Sequence, residues 1–317
     1  MISYPPPYRP FRGAGPPHFV DREDPDDVGV HGIVAASIVA YAAGPRDPRF
    51  HRLVTSGPAM GKTALLRAIG REVADRLGWA VTFHRCQVKE RAILAVSAEV
   101  AKTLQKQWPT ELTGAVVGSV TSDASPPEWP GDWPVHGGED QSSGAPRFDR
   151  VTCSWATLKH LLELGGRLAR AASSGLLVIF DDADRLGGGE LESLGFLARG
   201  LSREGIPVAL LFSGAPPLGD RFVRAGNISG PVWLTSLGRL DDGEAREALV
   251  VPAVDRGVEF REEALELLCL RAGGSPLQLQ RLGFAAWSAA LGTEVVTAAD
   301  AMAGLDALME GAQARAS

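Results

Sequence analysis

The residues able to do chemistry begin with Thr55-Ser56-Gly57-Pro58-Ala59-Met60-Gly61-Lys62-Thr63, which stands between Leu53-Val54 and Ala64-Leu65-Leu66. An apolar strand, a glycine-bearing loop and a helix in that order predict a phosphate-binding loop, because N–H groups at a helix N-terminus point at an anion. Gly57, Pro58, Ala59, Met60, Gly61, Lys62, Thr63 and Ala64 are the candidate cradle. Gly61 lets the backbone approach a phosphate, Lys62 supplies a cation and Thr63 offers a hydroxyl to magnesium. One place is irregular. The pattern sets a glycine five residues before the Gly-Lys pair, and Ser56 stands there, with Gly57 one step later.

The second half of the chemistry follows Leu176-Leu177-Val178-Ile179-Phe180, a run expected as a buried parallel strand. It ends on Asp181-Asp182-Ala183-Asp184. Ligands of open α/β sheets gather at the carboxyl ends of strands, so Lys62 and Asp181 are expected to meet at one phosphate. Asp181 is the candidate magnesium partner of Thr63, directly or through water. Asp182 is the candidate for orienting the attacking water. Triphosphatases of this type usually carry Glu there, and a misplacement of about 1 Å costs on the order of 100-fold in rate. Slow turnover, or a nucleotide-gated switch, is therefore expected. Asp184 is read as solvated or helix-capping.

Ser213 ends the next apolar strand, Pro207–Phe212, and is expected to contact the γ-phosphate or the water if that strand lies between the other two. Arg224 and Arg221 are candidates for an arginine finger reaching a neighbouring subunit's nucleotide, with plain surface arginines as the alternative.

The elements that must position these groups alternate. Gly32 to Ala43 reads as a helix, Arg52 to Thr55 as a strand, and Leu65, Leu66, Ile69, Val73 and Leu77 mark one face of the next helix. Trp79 to His84 is a strand, Arg91 to Trp108 a helix, Ser154 the cap of a helix to Ala172, Glu190 to Arg203 a helix, and Val232 to Leu234 a short final strand. From Asp241, paired with Glu244 as a capping box, only helices are expected. Ala124 to Pro146 is crowded with Pro, Gly, Ser and acidic residues and reads as a mobile loop. Its Trp129 and Trp133 either anchor a partner or pack back on the chain.

Composition sets the frame. A chain of 317 residues with 45% hydrophobic and 22% charged residues is an ordinary globular protein. The net charge of −6 argues against broad capture of nucleic acid, while leaving a local basic patch open. Cys86, Cys153 and Cys269 are scattered, so neither a zinc site nor a disulfide framework is indicated, and a reducing cytoplasm is expected. Met1 to Pro17 is proline-rich without the apolar core of a signal peptide, and no run approaches the roughly 20 apolar residues of a membrane span.

These motifs together resemble the AAA+/STAND class of P-loop ATPases, in the branch near the origin-recognition ATPases and bacterial multi-domain regulators. Phe19-Val20-Asp21-Arg22-Glu23 is similar to that branch's Phe-Val-Gly-Arg-Glu motif, Ser56 to Thr63 to its Walker A loop, Phe180-Asp181-Asp182 to Walker B, and Gly273-Gly274-Ser275-Pro276 to its Gly-x-Pro lid motif. The resemblance implies an α/β P-loop NTPase fold, three α/β/α layers around a parallel sheet, followed by a small all-α lid domain. It also implies ATP with magnesium as the ligand, with Val20, Arg22 and Pro276 beside the nucleotide. Asp21 and Ser56 replace glycines of the family's pattern, and Leu277-Gln278 stand where typical motors carry a second sensor arginine.

The organisation expected is a disordered tail over 1–17, an ATPase core over 18–238 with a mobile insertion over about 109–150, and a helical lid over 239–317. The expected function is a slow ATPase that switches a separate protein partner with its nucleotide state. A non-hydrolysing ATP-binding assembly protein and a DNA-associated helper ATPase stand as alternatives. An ATP-dependent homo-oligomer is open, and no membrane partner is expected.

Overall fold

The computed structural model describes residues 6–9, 16–23, 32–87, 92–109, 150–224, 232–291 and 293–313. The expected insertion, with Trp129 and Trp133, lies almost wholly outside the described residues.

Five strands form one parallel sheet: β1 (His51–Thr55), β2 (Ala80–Arg85), β3 (Leu176–Asp181), β4 (Val208–Gly214) and β5 (Val232–Ser236), in the order β2-β3-β4-β1-β5. The inner strands β1, β3 and β4 are buried at every residue, which is why they read as unbroken apolar runs. β2 and β5 lie at the edges and tolerate exposed positions. Helices α1 (Ile33–Ala43), α2 (Lys62–Leu77), α3 (Ala92–Gln107), α4 (Arg150–Ala171), α5 (Gly188–Arg203) and α6 (Pro217–Arg224) accompany the sheet. Two apolar clusters cover its faces. One holds Phe180, Phe212 and Phe222, and the other holds Leu66, Ile69 and Ile179. This is the expected α/β/α layering. Sequence reasoning missed α6, a short helix that carries both Arg221 and Arg224.

The chain then returns along the sheet, Leu237 N–H donating to Thr55 O at 2.8 Å, and enters a helical region with a buried cluster of its own. Its helices are α7 (Asp242–Val254), α8 (Glu262–Ala272), α9 (Pro276–Ala289) and α10 (Ala298–Gln313). The expected capping box is present: Glu244 N–H donates to Asp241 Oδ1 at 2.7 Å, and Asp241 N–H to Glu244 Oε2 at 2.9 Å. The expectation of helices alone needs one correction. A parallel pair of two-residue strands, β6 (Glu259–Phe260) and β7 (Val295–Val296), ties the region together.

Within the expected tail over 1–17, residues 6–9 and 16–17 are described, and one of them is packed. Tyr8 is buried in the helical region, its ring edge-on to Phe260 and Trp287 at centroid distances of 6.3 and 6.1 Å, and its hydroxyl donates to Leu249 O at 2.6 Å. One aromatic side chain with a satisfied hydroxyl anchors the described residues 6–9, which composition alone reads as loose.

His51, the first residue of β1, gives the fold an acid sensitivity. Leu210 N–H donates to its Nδ1 at 3.0 Å, so the proton sits on Nε2, which donates to Ser202 Oγ at 2.9 Å. Burial pulls its pKa from 6.5 down to about 3. Between those values the unfolded chain binds a proton that the folded chain excludes. Its contribution to stability is complete above pH 6.5 and is lost as pH falls toward 3. Equilibrium unfolding followed from pH 7 to pH 4.5 should show a decline of about 1.4 kcal/mol per pH unit below the upper value from this residue. His51→Asn should flatten that slope.

Candidate functional site

Between the carboxyl edge of the sheet and the helical region lies a cavity of about 460 Å³. That is ample for a small-molecule ligand. The loop after β1 forms its floor: Ser56 and every residue from Pro58 to Ala64 line it. Gly57 does not line it. Gly57 instead presents its carbonyl to Lys62, whose Nζ donates to Ser56 O at 2.9 Å and to Gly57 O at 3.0 Å.

The structure accounts for the irregular Ser56. The left-handed residues of the loop are Ala59, at φ 65°, and Gly61, at φ 86°, while Ser56 keeps an ordinary backbone. Gly61 is where glycine is needed, since it is the residue before α2 and has the left-handed backbone that side chains disfavour. The Ser56 hydroxyl is put to use, accepting from Lys62 Nζ at 3.3 Å and donating to Gly57 O at 3.1 Å.

Thr63 and Asp181 meet as expected. Thr63 Oγ1 donates to Asp181 Oδ2 at 2.8 Å, and Asp181 is wholly buried. The second carboxylate oxygen, Oδ1, accepts from Ser213 Oγ at 2.6 Å. β4 does lie between β1 and β3, which was the condition set for Ser213. Yet Ser213 is fully buried and does not line the cavity; its oxygen also accepts from Asp182 N–H at 3.2 Å. Its hydroxyl holds the two aspartates in place.

Asp182 lines the cavity in a left-handed conformation, φ 57°, which aspartate tolerates better than most residues. Two arginines hold its Oδ2: Arg85 Nε at 3.0 Å and Arg185 Nη2 at 3.6 Å. Sequence reasoning missed both. Arg85 ends β2 at the same carboxyl edge, and Arg185 follows Asp182 by three residues, so strand-end position was the available signal. Asp184 lines the cavity as well, its Oδ1 accepting from Ala215 N–H at 3.2 Å.

Arg22 also lines the cavity, with Nη1 donating to Met60 O at 2.9 Å, while Val20 and Pro276 form part of the apolar wall. Asp21, where the resemblance expects glycine, accepts from Val34 N–H at 3.2 Å at the start of α1. A carboxylate suits that helix end. Arg221 is committed within its own chain, to the carbonyls of Asp184 and Leu186. Arg224 is exposed at the end of α6, away from the cavity.

The electrostatics favour an anion. Arg9, Arg22, Lys62, Arg85 and Arg185 line the cavity against Asp182 and Asp184, in a chain whose net charge is −6. Burial holds the Lys62 ammonium below the ordinary lysine value, and Asp182, Asp184 and Asp181 oppose that shift.

The profile of the AAA ATPase domain matches residues 38–211, more than half of the chain. The chain belongs to the AAA ATPase domain family. Among solved structures, this AAA ATPase is similar to a Walker-type ATPase of Pyrococcus abyssi, at 15% identity and TM-score 0.53, covering 99% of this chain and 76% of that one. It is also similar to the ORC1 protein of Aeropyrum pernix in complex with DNA, at 17% identity and TM-score 0.52, over 90% and 68% of the two chains. Cdc6p of Pyrobaculum aerophilum follows at 15% and 0.51, over 88% and 66%. At such identities these likenesses speak for the fold. No curated protein matches the sequence. Among the described residues, no helix of this AAA ATPase is long and apolar enough to cross a membrane.

Proposed function

We propose that the chain binds ATP with magnesium, hydrolyses it slowly, and uses the change of nucleotide to switch a separate protein partner in the cytoplasm. The observation that carries this reading is the 2.8 Å bond from Thr63 to Asp181 beneath a cavity rich in cationic side chains. A hydroxyl and a buried carboxylate at that spacing fit magnesium, which takes few protein oxygens and keeps waters and phosphates as its other ligands. A magnesium ion held by Thr63 and Asp181 would supply charge neutralisation to the phosphates of a bound nucleotide.

The chain's own groups divide the remaining work. Lys62 leaves the loop carbonyls for the polyphosphate, and loop N–H groups cradle it. Ser213 fixes the Asp181 carboxylate, and Asp182 orients water once it is released from Arg85 and Arg185. Arg22, Val20 and Pro276 border the nucleotide from the N-terminal segment and from α9. Arg224 acts on a neighbouring copy in an ATP-dependent homo-oligomer, a reading supported by its exposure at the end of α6. The helical region moves as a lid about residues 237–241.

The ion pairs on Asp182 also favour a second reading, a binder that scarcely turns over. Phosphate release with ATP and magnesium, measured beside ATP affinity, separates the two. Under the hydrolytic reading Asp182→Asn lowers the rate roughly 10- to 100-fold with affinity changed only a few-fold. Equal, background-level rates for the two proteins would leave the binding reading alone.

A further inference from the structure

Among the described residues, the wall that the helical region gives the cavity consists of Leu240, Ala248, Pro276, Leu277 and Gln280, none of them cationic. A nucleoside triphosphate bound there would meet its positive partners on the sheet side only. One cation stands on the other side without belonging to the helices. Arg9 lines the cavity, and its backbone N–H donates to Gln280 Oε1 at 3.0 Å. Gln280 is buried, which fixes the acceptor. Tyr8, next in the chain, is locked into the helical core by its ring contacts and its bond to Leu249 O. The ring fits because Gly283 has no Cβ; one built there would lie 3.1 Å from the Tyr8 ring carbons.

We infer that Arg9 is a nucleotide-binding residue, a cation carried on the helical region through Tyr8 and directed at the polyphosphate of the bound nucleotide. The spacing supports this. Pro276 opens α9 against the phosphate loop, where a Cβ on Gly61 would stand 3.6 Å from its ring. Gln280 follows one turn later, about 6 Å along the axis, a distance an extended arginine side chain spans. Because Arg9 travels with the helical region while Lys62 and Arg22 belong to the sheet side, a triphosphate between them draws the two parts together. This rests on the nucleotide reading above.

Calorimetric titration of ATP, ADP and adenosine into the full chain tests it, with Arg9→Ala and Arg9→Lys beside the unaltered protein. Arg9 is exposed, so both variants should fold, and their unliganded melting points check this. Arg9→Ala is expected to weaken ATP binding about 10-fold with adenosine unaffected, as loss of a charge-assisted contact predicts, and Arg9→Lys to restore part of it. ATP affinity unchanged in Arg9→Ala, or an equal loss for adenosine, overturns the inference while leaving the nucleotide reading intact. Failure of the unaltered chain to bind ATP overturns both.

Discussion

Lys62→Ala should lower ATP affinity by at least about 100-fold, the effect of losing two charge-assisted contacts of ~1.5 kcal/mol each. The lysine is half-buried, and its ammonium rests on Ser56 O, Gly57 O and the Ser56 hydroxyl, all of them loop atoms. No core packing is lost with it. The variant should therefore melt close to the unaltered protein without nucleotide, and differ from it only when ATP is added. Binding measured by equilibrium titration and melting points with and without ATP would show both halves. Equal ATP affinity in the two proteins would remove the phosphate-loop reading, because the other cations of the cavity would then suffice.

The second large effect concerns Gly274, at the junction of the helical region with the chain leaving the sheet. Its backbone is left-handed, φ 71°, its carbonyl accepts from Leu240 N–H at 2.9 Å, and a Cβ built on it would stand 2.4 Å from Leu240 O. Gly274→Ala must strain the backbone and displace a carbonyl. A cost of about 2–4 kcal/mol follows, or a fall in melting point of roughly 3–6 °C. Weaker ATP binding should accompany it, since Pro276 follows two residues later and borders the cavity. Gly57→Ala is the contrast: its nearest atom is 4.0 Å away and its φ is not positive, so it should melt like the unaltered protein.

Much of this was legible beforehand. The apolar runs that became β1, β3 and β4 are unbroken because both faces of those strands are covered, and a motif at the end of such a run lands on the carboxyl edge of the sheet. That geometry brought Thr63 to Asp181 across 118 residues of sequence. The two departures from the family's glycines looked like losses. In the folded chain Asp21 caps α1 and Ser56 bonds Lys62, so each polar side chain has a partner where the glycine would have had none.

What spacing could not reveal was direction. Ser213 stood at the right strand end, but its hydroxyl turned inward to Asp181, because a buried carboxylate needs donors and this was the nearest one. Asp182 sat where a water-orienting residue belongs, and only the fold showed Arg85 and Arg185 closing on it from β2 and the turn after β3. Tyr8 lay in a stretch whose composition promised disorder, and its burial depended on a cluster from helices more than two hundred residues away. The sequence by itself determined a loop between an apolar strand and a helix and the acidic end of a second apolar strand, because these follow from local pattern, while the place of β4 between β1 and β3 came from the fold. Only the tertiary structure decided which charges face the cavity and which neutralise one another, since pairing energies depend on distances that no linear spacing specifies.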